Sequence, residues 1–330
     1  MKYNFITIGG ATRDISFFTD QGVIINNKKD LLRQKLLAFE YGAKIKVDKF
    51  YYSYGGGAAN AAVSLANFGS KTACIASLGD DENGRYILKN LKNHGVETRG
   101  VKLLKNEDSG SSFILVAPDG ERIIFGARGA NFNLKLTGND LKVLAQTSNI
   151  YLSSLSGDWN NVLKDIFSLV EKNKINIYWN PGGKQILAGL KKLLPFLKNT
   201  TVLALNKDEA IELVLSSNNH NKLSAAYLNK PENLLEIIKS FGPKIVVITM
   251  GGDGVVVSDG NKIYRHQVIK EKNRVDTTGI GDAFNSSFAA GFSYYNDIDK
   301  ALHLALKNTA SKISHLGAQN GLIKKNLFKK

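Results

Sequence analysis

Short apolar runs, each next to a helix-patterned segment, recur along most of this chain, and they constrain its fold more than any other feature. YNFITIG (3–9) reads as a buried strand ending in the turn Gly9-Gly10, and ACIASLG (73–79) precedes the helical ENGRYILKNLKNHG. IYLSSL (150–155) precedes NVLKDIFSLVEKN, INIYWNP (175–181) precedes KQILAGLKKLLPFL, and TVLALN (201–206) precedes KDEAIELVL. ENLLEIIKSFG leads into KIVVITMGG (244–252). GVVVSDGNKIYRHQ (254–267) has the pattern of an antiparallel hairpin around Asp259-Gly260-Asn261, and helices near 283–295 and 299–315 close the chain. Strands buried on both faces read as near-continuous apolar runs. Their alternation with helices predicts an α/β fold: a doubly wound, mainly parallel sheet with helices on both faces.

Two stretches break this rhythm. Residues 15–54 are rich in Phe, Tyr, Ile and Lys, and LLAFEYGAKIKVDKFYYSY looks like short amphipathic strands. GSSFILVAP and ERIIFGA (110–127) form a strand pair turned at Pro118-Asp119-Gly120. Together they predict one small β-sheet lid built from insertions. The core is then 1–14, 55–109 and 129–330, with lid strands in 15–54 and a lid hairpin in 110–128. The polar segment 216–230 reads as a surface loop.

Composition narrows the partners. A chain of 330 residues, 43% of them apolar, suits one large α/β core with an appendage. A formal charge of +15 raises nucleic acid or an acidic membrane as partners. The lysines are dispersed, however, and the tightest clusters (Lys28–Lys29, Lys191–Lys192, Lys324–Lys325, Lys329–Lys330) are not interleaved with aromatics. Solvated faces are therefore expected, with neither nucleic acid nor membrane as partner. No apolar run approaches a membrane span, and MKYNFITIGG lacks a leader's cleavage pattern. The single cysteine, Cys74, lies in an apolar run and is expected to be buried, so a cytoplasmic location is expected. The five histidines show no metal-site spacing.

In open α/β sheets ligands gather at the carboxyl ends of the strands. The unusual residues fall there: Gly9-Gly10 and Asp14, Asn206 and Glu209, and Gly251-Gly252. The most informative stretch is DTTGIGDAF (276–284). Gly279 and Gly281 permit unusual backbone angles and close approach of a ligand. The N–H groups of Gly279, Ile280, Gly281 and Asp282 would converge at the positive end of a helix beginning near Ala283, a site for a phosphoryl group. Asp282 at its rim can take a proton from an attacking hydroxyl, the arrangement phosphoryl transfer needs. The plain alternative is an aspartate cap, which requires neither both glycines nor Asp276. The second stretch, YGGGAANAAVSLANFG (54–69), leads three glycines into a helix. Gly55 suits tight packing, whereas Gly56, Gly57 and Asn60 suit contact with a polar ligand. It is neither a Walker A loop nor a dinucleotide fingerprint.

GGGAANAAVSLANFGSKTACIASLGDDENG (55–84) and VDTTGIGDAFNSSFAAGF (275–292) together resemble the signatures of the ribokinase-like carbohydrate kinases, the PfkB family. The likeness covers nearly the whole chain. It implies a small β-sheet lid over the α/β core, ATP with Mg²⁺, and phosphorylation of a hydroxymethyl group. It implies Asp282 as the base, an anion hole from Gly279 to Asp282, and an acceptor held by Asp14, Gly56, Gly57 and Asn60. NKDE is similar to the family's Asn-x-x-Glu, so Asn206 and Glu209 would organise magnesium and phosphates through water. TMGGDG looks like the nucleotide-side turn, which would set Thr249, Gly251 and Gly254 against ATP. Many members hold K⁺ near the anion hole; the matching positions are the Asp276 carboxylate and the backbone carbonyls of Thr278, Lys312, His315 and Gly317.

The chain also departs from the pattern. Leu306 stands where members often carry an asparagine near the adenine, and Gly321 where some offer a hydroxyl to the monovalent ion. Arg128, in GARGAN, would meet an acid or phosphate on the acceptor or else lie on the lid surface. The expected activity is an ATP-dependent sugar kinase with ribose as acceptor. Alternatives are a nucleoside, a ketoacid sugar or a sugar phosphate, and, outside catalysis, a sugar-binding regulatory pseudokinase. The aromatic lid strand YYSY favours a homodimer through the lid.

Overall fold

Each apolar run of the core becomes a strand of one large sheet. The computed structural model describes residues 2–27, 35–116, 122–217, 219–271 and 273–328. The chain opens with β1 (Tyr3–Ile8) and leaves at once for β2 (Thr12–Phe18), β3 (Val23–Asn26), β4 (Lys35–Ala38) and β5 (Lys49–Gly55). It returns through α1 (Gly57–Asn67), β6 (Thr72–Gly79), α2 (Glu82–Asn93) and β7 (Glu97–Leu104), then leaves again for β8 (Ser111–Val116) and β9 (Arg122–Ala127). Next come α3 (Gly138–Leu144), β10 (Thr147–Leu152), α4 (Trp159–Asn173) and β11 (Asn176–Trp179). They are followed by α5 (Gly183–Leu187), α6 (Leu190–Leu197), β12 (Val202–Asn206), α7 (Lys207–Leu215), α8 (Ala225–Leu228) and α9 (Pro231–Ser240). The chain ends with β13 (Ile245–Thr249), β14 (Val255–Ser258), β15 (Ile263–His266), α10 (Ile280–Tyr295) and α11 (Ile298–Ile313).

Among the described residues the large sheet has nine strands in the order β15-β14-β13-β12-β11-β10-β1-β6-β7. All pairs from β13 to β7 are parallel, and β14 and β15 form the antiparallel edge expected from the Asp259-Gly260-Asn261 turn. The chain winds outward from β1 in both directions, so winding reverses between β1 and β10, where such folds open a crevice. One apolar layer, with Leu163, Ile166 and Trp179, covers one face. The other face carries Phe288 and Ala289 of α10 with Leu302 and Ala305 of α11. Small residues let α1 and α10 approach closely: Ser286 Oγ lies 2.8 Å from Ser64 Oγ.

Several expectations are corrected. Among the described residues two small sheets form, not one: β5-β2-β8-β9 and a separate β3-β4 pair whose Val23, Ile24 and Ile25 are exposed. The β8–β9 register pairs Ser111 with Ala127, and the turn expected at Pro118-Asp119-Gly120 lies outside the described residues, as do Lys28–Lys29 and Lys329–Lys330. KQILAGLKKLLPFL splits into two helices at Gly189, whose φ of 83° breaks the first, while Ser216 Oγ accepts the Leu190 N–H at 2.9 Å. Segment 216–230 contains α8, because Leu228 seats in the core. β7 had no clear signal: it is the outer strand, and its apolar residues are interrupted by Arg99 and Lys102. No helix among the described residues is long and apolar enough to cross a membrane.

Candidate active site

Three backbone turns meet above the β1/β10 switch. Gly9 has φ 144° with no room for a β-carbon, which would fall 2.1 Å from Ser153 Oγ. Gly56 has φ 86°, and a β-carbon there would lie 2.5 Å from the Gly10 carbonyl. One at Gly57 would stand 2.7 Å from Ser153 Cβ and 3.3 Å from Asp282 Oδ1. The glycine triplet thus lets the start of α1 settle on the ends of β1 and β10 beside Asp282. Gly55 is explained by packing as expected, since a β-carbon there would overlap the Asp14 carboxylate.

The helix after DTTG begins at Ile280, earlier than the sequence predicts, with Gly279 at its N-cap in the left-handed region, φ 73°. Gly281 therefore sits in the first helical turn and needs no special backbone angle. The amides of Gly279, Gly281 and Asp282 donate to no group among the described residues, as the first turn of a helix leaves them. The Ile280 amide differs, turning back to the Thr277 carbonyl at 3.3 Å. Asp282 makes no cap bond; its side chain leaves the helix toward α1.

Asp282 is half-buried, and Asn60 Nδ2 donates to its Oδ2 at 2.7 Å. Asn60 is itself held: Gln319 Nε2 donates to Asn60 Oδ1 at 3.0 Å, and Asn90 Nδ2 to Gln319 Oε1 at 2.7 Å. Because an ionised carboxylate only accepts, this bond fixes which way each amide in the row points. Burial pushes the Asp282 carboxyl above its ordinary value; the Asn60 bond pulls it back, and the charge of Asp14 adds to the rise. Asp14 on β2 is buried, with Thr12 Oγ1 donating to its Oδ1 at 2.7 Å. Burial raises its pKa as well, against hydrogen bonds from Thr12 and Ser112.

Asp276 is a different carboxylate. Its Oδ1 accepts the Thr278 amide and its Oδ2 the Gly317 amide, both at 2.7 Å. Burial alone would raise its pKa, but the Lys312 charge and these amides outweigh it and hold the group below its ordinary value. Among the groups expected around a monovalent ion, Lys312 was to supply a carbonyl. Its side chain is fully buried, with Nζ donating to the Asp276 carbonyl at 2.7 Å and the His315 carbonyl at 3.3 Å, and 3.7 Å from Asp276 Oδ2. Burial lowers the Lys312 pKa to about 8, against the pull of Asp276.

The remaining sequence-predicted residues lie elsewhere along the carboxyl edge. Asn206 and Glu209 form a capping box at the start of α7: Asn206 Oδ1 accepts the Glu209 amide at 2.8 Å, and Glu209 Oε2 accepts the Asn206 amide at 2.9 Å. Burial pushes the Glu209 carboxyl above its ordinary value. Thr249 pairs with Asn206 across the ends of β12 and β13. Gly254, φ 91°, has a packing reason, because a β-carbon would lie 2.1 Å from the His266 carbonyl. Gly251, φ 57°, faces open space. Arg128 is exposed, and its side chain bonds nothing among the described residues. A hollow of about 380 Å³ lined by Asp259, Lys262, Asp297 and Asp299 lies at the amino end of β13, away from this edge.

Sequence reasoning missed Gln319 and Asn90, which look like ordinary surface amides until the fold brings them to Asn60. It also missed how the small sheet β5-β2-β8-β9 is tied down. Asn131 Oδ1 accepts the Ala11 amide at 3.0 Å and Nδ2 donates to the Ala11 carbonyl at 2.9 Å, joining the chain entering the small sheet to the chain leaving it. Asp81 accepts the Ser109 amide at 2.8 Å and the Gly84 amide at 2.6 Å, so GDDENG anchors the second crossing.

A family model described as "pfkB family carbohydrate kinase" matches residues 27–325. A ribokinase of Dictyostelium discoideum is 31% identical over 298 residues, 86% of this chain and 91% of its own length. An ATP-dependent 6-phosphofructokinase of Thermoanaerobacterium thermosaccharolyticum is 25% identical over 316 residues, 91% of this chain and 93% of its own. The structure of Arabidopsis thaliana ribokinase complexed with ribose and ATP aligns over 98% of this chain and 96% of that one, with a TM-score of 0.80 and 20% identity.

Proposed function

The chain belongs to the pfkB family of carbohydrate kinases, and from that premise we propose that it passes the γ-phosphoryl group of ATP to a hydroxymethyl group of ribose or a close relative. One observation carries this reading: the Asp282 carboxylate, oriented by Asn60, lies on the same helical turn as the free amides of Gly279, Gly281 and Asp282. The base and the donors for the moving charge are built into one rigid element. Asp282 accepts the hydroxyl proton, and its raised pKa makes it a better base than an exposed carboxylate. The amides and the positive end of α10 face the charge that grows on the phosphoryl oxygens. Asp14 accepts from acceptor hydroxyls. The second Asn60 N–H, not used on Asp282, donates to them. The small sheets close over the acceptor and exclude water.

Magnesium suits the oxygen donors on the nucleotide side: the capping box uses one Glu209 oxygen and leaves Oε1 for a metal-bound water. When bound, the ion would screen the charge of the ATP phosphates. A nucleoside acceptor is favoured by one feature, the exposed Tyr51 of β5, which shares a face of the small sheet with Asp14 and on which a base would stack. Tyr52, on the opposite face with Phe113 and Phe125, fits a second copy of the chain across the lid, so sedimentation should give twice the chain mass.

The test is Asp282→Asn with ADP release read against ribose, nucleosides, ribose phosphate and 2-keto-3-deoxygluconate. Turnover should fall by about 10²–10⁴-fold with ATP affinity kept. The variant should also melt higher. A carboxyl whose folded pKa is raised leaves stability intact below the unfolded value and loses it as pH climbs through the folded one, so Asn removes a cost at neutral pH. A variant that keeps substantial turnover means that another group is the base. A regulatory binder would bind sugar and release no ADP in either form.

A further inference from the structure

The segment that closes the anion hole from behind is held by a charge the chain supplies itself. Lys312 is the last basic residue of α11, and its side chain does not leave the helix for solvent. It runs inward between the turn 276–279 and the loop 314–321, where Nζ meets the Asp276 carbonyl at 2.7 Å, the His315 carbonyl at 3.3 Å and the Asp276 carboxylate at 3.7 Å. An ammonium group and a potassium ion are similar in size, and both are satisfied by a ring of carbonyl and carboxylate oxygens. A second observation agrees. Gly321, the position that would offer a hydroxyl ligand, has φ 72°, and a β-carbon there would lie 2.3 Å from the His315 ring. The His315 ring fills the space a ligand side chain would need.

We propose that the Lys312 ammonium is a tethered monovalent cation, so that this kinase requires no K⁺ and cannot bind one between Asp276 and His315. The inference rests on the kinase reading for its catalytic consequence, but not for the occupancy of the site. Lys312 is a positioning residue. It neutralises Asp276 and draws the Asp276 and His315 carbonyls together. That fixes the turn carrying Gly279 against Ala318, beneath the amides that receive the phosphoryl charge. Buried from water, its charge is little screened by salt and adds to the positive end of α10.

The experiment compares the full-length protein and two variants in choline, sodium, potassium and ammonium chlorides at equal ionic strength, with both ADP release and melting temperature read. Wild-type turnover should vary less than about twofold among the salts, and its melting temperature should not respond to potassium in particular. Lys312→Ala leaves a charged, oxygen-lined hole. It should lose about 10²-fold in choline, regain much of that in potassium or ammonium in a saturable way, and melt higher in those salts, because an ion that binds only the folded state stabilises it. Lys312→Met fills the hole with an apolar chain and should show no rescue by either readout. Saturable potassium activation of the wild type, or a potassium-specific rise in its melting temperature, overturns the proposal. So does Lys312→Ala with normal turnover and no response to either ion. If neither variant folds, the wild-type salt series decides. Melting needs no substrate, so it judges the cation site even where the acceptor has been misread.

Discussion

The two sides of the cleft are built differently. On the side proposed for the acceptor, two sets of buried or half-buried groups meet through tertiary contacts: the row Asp282, Asn60, Gln319 and Asn90, and the pair Asp276 and Lys312, contributed by α1, α2, α10, α11, the turn before α10 and the last loop. On the side proposed for the nucleotide, the side chains of Asn206 and Glu209 bond, among the described residues, only each other's backbone amides, three residues apart, and Gly251 looks into open space. The first side is organised by tertiary contacts before any ligand arrives, and the second is locally satisfied and waits for one. Pre-organisation of donors and base lowers the barrier without reorganisation at the moment of reaction. Damage on the first side should therefore fall on turnover, and damage on the second on affinity for ATP.

The largest contrast should come from one substitution made at two glycines of positive φ. At Gly279 a β-carbon would sit 2.4 Å from Ala318 Cβ and 2.8 Å from its Cα, so Gly279→Ala must push the 276–279 turn away from the loop holding Gln319. Turnover is expected to fall about 10²–10³-fold, the scale of losing an oxyanion donor, together with a lower melting temperature. Gly251→Ala meets no neighbour and should cost only about 1–2 kcal/mol of backbone strain, leaving turnover at saturating ATP unchanged. Equal kinetic losses at both positions would erase the distinction between the two sides.

How much of this was legible in the sequence follows from the range of the interactions. The strands were readable because burial on both faces makes them continuous apolar runs, as in β6, whose residues are all buried. The edge strand β7 was not, because a single covered face and its Arg and Lys residues dilute the pattern. Asp282 and Gly279 could be picked out because their chemistry is packed into adjacent residues. Gln319 and Asn90 could not: their meaning comes from contacts 259 and 229 positions apart in the chain. The ammonium of Lys312 was hidden for the same reason. The resemblance alone set its backbone carbonyl near Asp276, and nothing in the sequence says that the side chain turns inward.

A middle-sized effect is expected at Gln319. Gln319→Leu removes the donor that holds Asn60 Oδ1, so Asn60 is free to rotate away from Asp282. The Asn60 bond favours the ionised carboxylate, and without it the Asp282 pKa rises further above its ordinary value. Turnover needs the ionised base, so it rises with pH through that pKa, and the acid limb of the kcat/KM profile should move to higher pH. A hydrogen bond to a charged group is worth about 1.5–3 kcal/mol, so the displacement of the limb should be plainly measurable. Asn90→Ala, one step further along the row, should shift the limb in the same direction by less. A uniform drop in rate with an unmoved limb would mean that Gln319 only supports the fold.

The smallest effect separates two jobs that coincide at Asn206. As the N-cap of α7, its side chain satisfies the Glu209 amide, and Asn206→Ala should cost about 1 kcal/mol of stability with turnover at saturating ATP preserved. The same substitution removes an amide beside the proposed magnesium water shell, so the KM for ATP should rise. Asn206→Asp distinguishes the causes. Aspartate caps as well as asparagine, so stability should return to wild type. It also puts a second carboxylate beside Glu209, whose pKa is already raised by burial and by the charges of Glu212 and Asp208. If the position serves only the helix, KM for ATP returns with stability. If it also serves the nucleotide, KM stays displaced, and displaced in a way that depends on magnesium concentration, because an added carboxylate binds the ion itself. A KM that follows the melting temperature through all three proteins would reduce the nucleotide side here to a helix cap.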